Sequence, residues 1–311
     1  MARCSPPSGQ IMPDATPSQP VGRFAPTPSG LLHFGSLLAA LASYLDIKHR
    51  RGQWLVRLED LDLPRNQPGA AEHILDTLDR YGLRADGEIL RQSQRTVFYQ
   101  QQIDHWLASG QAYYCNCSRA DLAGTGGVYP GTCRERHLPA QADHAVRLRV
   151  NDQPIAFIDR LQGPFSQKLE SQVGDFVIRR RDGIIAYQLA VVLDDIAQGV
   201  TEIVRGADLL DSTPRQLWIY QLLEQPAPSY LHIPLIMRAD GEKLSKRLTS
   251  TPISTDAVSA TLFQALQTLA QKPPPQLLGA NPSEQLAWAV AHWRPMALPA
   301  SRQLLQTDLP H

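Results

Sequence analysis

The stretch that predicts the fold of this chain is Arg23-Phe-Ala-Pro-Thr-Pro-Ser-Gly-Leu-Leu-His33-Phe-Gly35-Ser36. It begins in a short apolar segment, Val21 to Phe24, and turns at Gly30 after two prolines. The next residues predict an amphipathic helix, because apolar side chains recur there at three- and four-residue spacing. A strand, a turn and a helix start together present backbone N–H groups and a positive helix end, which suits a phosphate.

A second stretch, Lys243-Leu-Ser-Lys246-Arg247, lies more than two hundred residues later. The chain has only five lysines, and two of them fall inside these five residues. Taken alone, such a run is typical of a solvated surface loop. Together with His33 upstream, it indicates a second set of cations for the same phosphates.

The two stretches resemble the HIGH signature and the KMSKS loop of the class I aminoacyl-tRNA synthetases. With Leu58-Glu59-Asp60-Leu-Asp62, the first is similar to the glutamate-specific branch of that family. The resemblance implies an α/β protein with a class I synthetase-type Rossmann nucleotide-binding fold, a zinc-bearing insert and a small C-terminal helical part. Ser36 stands where the signature has its second histidine, and its reach is shorter.

The resemblance also implies a reaction, in which a glutamate oxygen attacks the α-phosphate of ATP and pyrophosphate leaves. Because negative charge spreads over the phosphoryl oxygens, the protein must position and neutralise them, with Mg²⁺ sharing that charge. The implied catalytic residues are His33, Ser36, Lys243 and Lys246. The implied ATP-binding residues are His33, Gly35 and Lys246.

Glutamate would bind to residues from four parts of the chain. The resemblance implies Arg23, Phe24, Ala25, Pro26, Thr27, Glu59, Tyr187 and Arg205. Glu59 follows a predicted buried strand, Trp54 to Leu58, where a carboxylate can hold an ammonium group. Glu59, Asp60 and Asp62 could instead be turn-forming or helix-capping acids. Arg205 offers a bidentate fork to a carboxylate and Arg23 offers a second. For Tyr187 taken alone, the alternative is an amphipathic core tyrosine.

Three of the four cysteines, Cys115, Cys117 and Cys133, lie within nineteen residues, which favours a metal site over disulfides. Three thiolates leave one corner of a tetrahedral zinc site open. Chemistry alone prefers His137 there. Tyr129 is implied instead by the resemblance of Gly127-Val-Tyr129-Pro-Gly131-Thr-Cys133 to short glutamyl-synthetase-like proteins that act on queuosine. We therefore expect one structural Zn²⁺ per chain, held by Cys115, Cys117, Tyr129 and Cys133. The alternative is three free buried cysteines.

The organisation of the chain follows from composition and pattern. With 43% apolar residues in 311, it can form one large or two modest domains, and it has no run long enough to span a membrane. We predict a disordered leader over 1–20, which contains Cys4, a first half of the catalytic domain over 21–110 and a zinc-binding and connective insert over 111–182. A second half with the KMSKS-like loop follows over 183–250, and a C-terminal helical region over 251–311.

Charge is balanced, with thirty basic and thirty acidic residues, so any RNA contact must be a local patch. Short alternating runs near Val146, Ile155 and Phe176 predict strands of the insert, and Ile233 to Met237 predicts another strand. The insert has five arginines that fit a solvated strand face or RNA phosphates equally well. These are Arg147, Arg149, Arg179, Arg180 and Arg181.

Only 64 residues follow Arg247, too few for the long anticodon-binding region of a glutamyl-tRNA synthetase. This feature and the cysteine pattern resemble the short family that transfers glutamate to queuosine in the anticodon loop of tRNA(Asp). The implied partners are L-glutamate, ATP and tRNA(Asp) carrying queuosine, and we expect a cytoplasmic monomer with no membrane partner. The alternatives are a truncated glutamyl-tRNA synthetase charging a tRNA 3′ end, transfer to a carrier protein, and a non-catalytic zinc-containing RNA-binding module.

Overall fold

The computed structural model describes residues 19–237 and 253–305. In its first part, strands and helices alternate in the order expected from the sequence. The elements are β1 (Val21–Phe24), α1 (Phe34–His49), β2 (Gln53–Leu58), α2 (Ala70–Arg80), β3 (Leu90–Arg91) and α3 (Thr96–Ala108).

An antiparallel region follows α3. Its elements are β4 (Ala112–Cys115), β5 (Ala145–Leu148), β6 (Pro154–Asp159), β7 (Gly163–Lys168), α4 (Leu169–Gln172) and β8 (Phe176–Arg179). β4, β5 and β8 form one three-stranded sheet, and β6 pairs with β7 as a separate hairpin. The β7 strand is absent from the sequence prediction, because its polar and small residues, Gly163-Pro-Phe-Ser-Gln-Lys168, show no strong apolar alternation.

The chain then returns to the alternating pattern. The remaining elements are α5 (Tyr187–Ala197), β9 (Glu202–Gly206), α6 (Thr213–Leu222), β10 (Ser229–Ile233), β11 (Leu235–Met237), α7 (Val258–Thr268), α8 (Pro282–His292) and β12 (Gln303–Leu305). The single strand predicted over 233–237 is wrong. The chain breaks at Pro234, which has no N–H for a strand ladder, and β11 pairs with β12 rather than extending β10.

A five-stranded parallel sheet lies at the centre, in the order β10–β9–β1–β2–β3. The chain builds outward from β1 to β2 and β3 on one side, and from β9 to β10 on the other. The boundary between β1 and β9 is therefore a topological switch point, and in open parallel sheets ligands bind beyond the carboxyl ends of the strands at such a point. The Rossmann-type expectation is confirmed.

Helix α1 is the largest contributor to the core. Leu37, Leu41 and Leu45 are fully buried against the sheet. Gly22 allows the close approach of β1, because a Cβ there would lie 2.3 Å from Cγ1 of Ile47. Helices α7 and α8 pack on the same helix, and Trp293 donates to the buried Asp46 of α1 at 3.2 Å. No helix of the described residues is long and apolar enough to cross a membrane.

Candidate functional site

A cavity of about 530 Å³ lies beyond the carboxyl ends of β1, β2 and β9. Seven of the eight residues predicted to contact glutamate line it. They are Arg23, Phe24, Ala25, Thr27, Glu59, Tyr187 and Arg205. The eighth, Pro26, does not line the cavity, but its carbonyl accepts the Glu59 backbone N–H at 2.9 Å. Four separate segments, at and after the end of β1, after β2, at the start of α5 and in β9, are thus brought together at the switch point of the sheet.

Arg23 lines this cavity and forms an ion pair with Asp195. Its Nε and Nη2 donate to Asp195 of α5 at 3.1 and 3.3 Å. Arg57 of β2, fully buried, donates to the same carboxylate at 2.6 Å. Burial would raise the pKa of Asp195, but Arg23 and Arg57 outweigh it and hold that pKa below its usual range. The positive charge of Arg23 is therefore largely neutralised by the protein.

The neighbouring Asp194 is saturated with donors. It accepts from Gln92 at 2.7 Å, from Arg95 at 2.8 Å and from Tyr99 at 2.8 Å, and its side chain is fully buried. The two adjacent acids of α5 thus act in different ways. Asp195 joins β1 to β2, and Asp194 fixes the first turn of α3 and the segment before it. Both are committed to protein partners.

Arg205, at the end of β9, differs from Arg23 because the described side chains to which it donates are all neutral. Its Nε donates to Nε2 of His232 at 2.9 Å, Nη1 to Gln216 at 2.8 Å and Nη2 to Thr213 at 2.9 Å. The residue is 4% exposed, and no carboxylate of residues 19–237 or 253–305 forms an ion pair with it. A buried guanidinium without a counter-ion is costly, so this site favours an anionic ligand.

Glu59 presents the opposite charge in the same cavity. Its side chain is 10% exposed. Among the described residues it forms an ion pair with Arg57, which is 4.0 Å away and already donates to Asp195. Oε1 is buried and has no hydrogen-bond donor among the described residues. Burial raises the pKa of Glu59 to about 7, against the opposing effect of Arg57 and Arg23. This carboxylate favours a cationic ligand group.

His33 lies at the start of α1, where it caps its own helix. Its Nδ1 accepts the backbone N–H of Ser36 at 3.2 Å, and the Ser36 hydroxyl lies 3.0 Å from Nε2. Gly35 makes room for this arrangement, because a Cβ there would lie 3.3 Å from the imidazole ring. His33 and Ser36 therefore contact each other, and none of the three residues lines the cavity. Lys243 and Lys246 lie outside the described residues.

The sulfur atoms of Cys115, Cys117 and Cys133 lie within 4.8 Å of one another. The Cys117 and Cys133 sulfurs are 3.5 Å apart, and the Tyr129 hydroxyl lies 3.5 Å from Cys115 and 3.9 Å from Cys117. Ligands of a tetrahedral zinc with Zn–S bonds of about 2.3 Å are separated by about 3.8 Å. The four residues fit a zinc ion. His137 is exposed and lies outside the group of metal-ligating atoms.

The backbone next to Tyr129 is fixed by a close approach to the turn before β8. The N–H of Tyr129 donates to the carbonyl of Val173 at 3.0 Å. Gly174 has φ +75°, and a Cβ there would lie 2.2 Å from the Tyr129 carbonyl oxygen. Only glycine fits at this position. The close contact between the two backbones therefore fixes where the Tyr129 hydroxyl lies relative to the three thiols.

Arg147 does not lie on a solvated or RNA-binding face, so the expectation for this arginine is wrong. The residue is 8% exposed, its guanidinium carbon lies 3.6 Å from the centroid of the Tyr129 ring, and Nε donates to the Cys115 sulfur at 3.2 Å. It belongs to the cysteine cluster. The other four arginines of that group all donate to acids, amides or carbonyls of the protein.

Sequence reasoning missed Arg57, Asp195 and His232. Arg57 carried a signal, since it is a charged residue inside an otherwise apolar strand and such a residue is buried only with partners. Asp195 follows the predicted glutamate residue Tyr187 by eight positions, but it was given no role. His232 gave no signal, because a histidine beside a strand-ending isoleucine is ordinary.

Comparisons with known proteins agree with this geometry. The family model for the catalytic domain of class I tRNA synthetases (E and Q) matches residues 21–127 and 132–271. A glutamate tRNA ligase from Elizabethkingia meningosepticum, solved in complex with its amino acid, has a TM-score of 0.75 at 22% identity. That match covers 93% of this chain and 67% of the ligase. The fold and the site together define a class I tRNA synthetase catalytic domain.

Curated relatives narrow the class further. Glutamyl-Q tRNA(Asp) synthetase from Ectopseudomonas mendocina is 56% identical over 289 residues, which cover 93% of this chain and 98% of the relative. The enzyme of that name from Pseudomonas fluorescens is 52% identical over 298 residues, covering 96% of this chain and all of the relative. The chain belongs to the glutamyl-Q tRNA(Asp) synthetase family.

Proposed function

We propose that this protein activates L-glutamate with ATP to form glutamyl-adenylate. It then transfers the glutamyl group to the queuosine base in the anticodon loop of tRNA(Asp). The relatives carry the name of that reaction. We also propose the segment boundaries given above, and a monomer acting in the cytoplasm.

The glutamate assignment rests on two groups that face the same cavity. Within residues 19–237 and 253–305, the buried Arg205 forms no ion pair, and the buried Oε1 of Glu59 accepts no hydrogen bond. Arg205 would bind one carboxylate of the ligand through its fork, and Glu59 would hold the ammonium group. Arg23 is already paired with Asp195, so it would attract the second carboxylate of the ligand more weakly than Arg205 attracts the first. An amino acid with an acidic side chain satisfies all three groups.

The activation step requires ATP next to this pocket. The backbone at the start of α1 would receive the α-phosphate, with His33 and Gly35 shaping that turn. Lys243 and Lys246 would neutralise the leaving pyrophosphate, and Mg²⁺ would accompany ATP. The experiment is glutamate-dependent ATP–pyrophosphate exchange without tRNA. Exchange supported by glutamate and not by glutamine or aspartate is expected, and no exchange with any amino acid would leave a non-catalytic protein.

Glutamate affinity should depend on pH through Glu59. Its pKa of about 7 means that the carboxylate, the form that binds an ammonium group, is lost as pH falls. The dissociation constant for glutamate, measured by calorimetry, should therefore rise about tenfold between pH 8 and pH 6. Glu59→Gln should bind glutamate weakly, with a dissociation constant that hardly changes over this range. A flat profile for the wild type would contradict the role of Glu59.

We propose that Cys115, Cys117, Tyr129 and Cys133 hold one zinc ion whose role is structural. Four protein ligands leave no open position for a reacting group, so the ion would stabilise the fold of the Gly-rich loop. Arg147 would offset the excess negative charge of three thiolates and a phenolate, since it touches both Cys115 and Tyr129.

Metal analysis tests this centre without any activity measurement. Purified protein should carry about one zinc per chain by plasma mass spectrometry, and Cys133→Ser should lose most of it and unfold at a lower temperature. Cys4→Ser, the matched control, should keep its zinc. Tyr129→Phe should weaken zinc retention against a chelator, whereas His137→Ala should not. The reverse order for the last two variants would assign the fourth ligand to His137.

A further inference from the structure

We propose that His232 and Asp159 are positioning residues for Arg205, which fix its guanidinium in the orientation that receives the ligand carboxylate. The inference rests on the proposed function, because it concerns the same carboxylate site. Neither residue lines the cavity. Both act through Arg205, and Asp159 belongs to β6, a strand of the antiparallel region rather than of the central sheet.

The hydrogen bonds define one tautomer of His232. Nδ1 lies 2.6 Å from Oδ2 of Asp159, and Nε2 lies 2.9 Å from Nε of Arg205. Arg205 can only donate and an ionised Asp159 can only accept. The ring proton must therefore sit on Nδ1, and the lone pair of Nε2 must face the guanidinium.

The neutral imidazole of His232 lies between the negative Asp159 and the positive Arg205, and its lack of charge explains its place there. Burial is the main reason that the pKa of His232 is lowered, although the bond to Asp159 opposes it, so the ring is neutral near pH 7. A carboxylate in direct contact would neutralise Arg205, as Asp195 neutralises Arg23. A neutral acceptor orients Arg205 and leaves its charge for the ligand. Gln216 and Thr213 hold the other two nitrogens in the same way.

Asp159 is itself held in place from several directions. Its Oδ1 accepts the N–H groups of Leu161 and Gln162 at 3.0 and 2.8 Å, which closes the turn of the β6–β7 hairpin. Its Oδ2 accepts the backbone N–H of His232 at 3.1 Å, and Gln162 donates to the His232 carbonyl at 2.8 Å. The hairpin is thus fixed to β10, and through His232 it sets the position of a pocket residue.

Two amide substitutions separate this role from a purely structural one. In His232→Gln, the amide reaches the position of Nε2 and can still accept from Arg205. In His232→Asn, the amide stays near Nδ1, keeps the bond to Asp159 and leaves Arg205 without its acceptor. We expect the KM for glutamate in ATP–pyrophosphate exchange to rise roughly 10- to 100-fold in His232→Asn, with kcat little changed, and no more than about threefold in His232→Gln. If His232 and Asp159 only held the fold together, His232→Asn, which keeps their hydrogen bond, should have the smaller effect on KM and His232→Gln the larger one.

A ligand-free measurement keeps this test separate from the proposed function. With ¹⁵N-labelled arginine, the Nε–H of Arg205 should exchange slowly with water in the wild type and in His232→Gln, and much faster in His232→Asn. Thermal unfolding should show that both variants are folded. Equal protection of this proton in all three proteins would overturn the inference. If the wild type showed no glutamate-dependent ATP–pyrophosphate exchange, the proposed function would be refuted, but the inference about His232 would not.

Discussion

Replacing Arg205 by methionine should raise the KM for glutamate in ATP–pyrophosphate exchange roughly 100- to 1,000-fold. Methionine fills a similar volume without charge, so the ligand carboxylate would enter a buried site with no cation to receive it. The effect should be large because the side chains that hold this arginine in the described part of the chain, those of His232, Gln216 and Thr213, are neutral. Arg205→Lys should recover part of the loss, since an ammonium supplies the charge but lacks the planar fork.

The matched control is Arg180, a second arginine in the lining of the same cavity. It is 46% exposed and paired with Asp62 at 2.9 Å and Asp182 at 2.5 Å. Because these acids already satisfy its charge, Arg180→Met should change the KM for glutamate only a few-fold. Equal effects of the two substitutions would mean that any positive charge in the cavity suffices, and the special role of Arg205 would be lost.

Replacing Asp195 by asparagine should destabilise the protein by about 3–5 kcal/mol, measured as the free energy of unfolding in urea. The substitution leaves Arg23, 4% exposed, and Arg57, fully buried, without their shared counter-ion. It also frees Arg23 to move, so glutamate binding should weaken as well.

The control for Asp195 is the same change at an exposed pair. Asp79→Asn removes the partner of Arg84, where both side chains are more than half exposed, and should cost less than about 1 kcal/mol.

The pH dependence of stability provides a second test of Asp195. Because the pKa of Asp195 is held below its unfolded value, its contribution is present near neutral pH and is lost as pH falls through the folded pKa. The difference in stability between wild type and Asp195→Asn should therefore shrink in acid.

The sequence predicted the order of strands and helices well where the pattern is periodic. The apolar spacing in α1 and the buried run of β2 were enough, because each element shows its own buried face. The break at Pro234 was missed although a proline within a strand is itself a local signal. The pairing of β11 with β12 was missed because strand pairing between distant segments leaves no local signal. The hairpin strand β7 was missed for a related reason: its partner, not its composition, makes it a strand.

The sequence indicated which residues form the site, but it did not indicate which of their charges are already paired within the protein. Arg23 and Arg205 look equivalent in the sequence, as two forks for two carboxylates. In the structure they differ, because Asp195 lies 172 positions from Arg23 in the chain and still pairs with it. His232 likewise reaches Arg205 only through the parallel pairing of β10 with β9. Such contacts depend on the fold and could not be assigned beforehand.

The transfer step is the central claim, and one comparison tests it most directly. The protein is incubated with ATP and radiolabelled glutamate, and with tRNA from cells that contain queuosine or from cells that lack it. Label should enter only the queuosine-containing tRNA, and after nuclease digestion it should map to the anticodon loop rather than to the 3′-terminal nucleotide. Equal labelling of both tRNA samples, with the label at the 3′ end, would contradict the account.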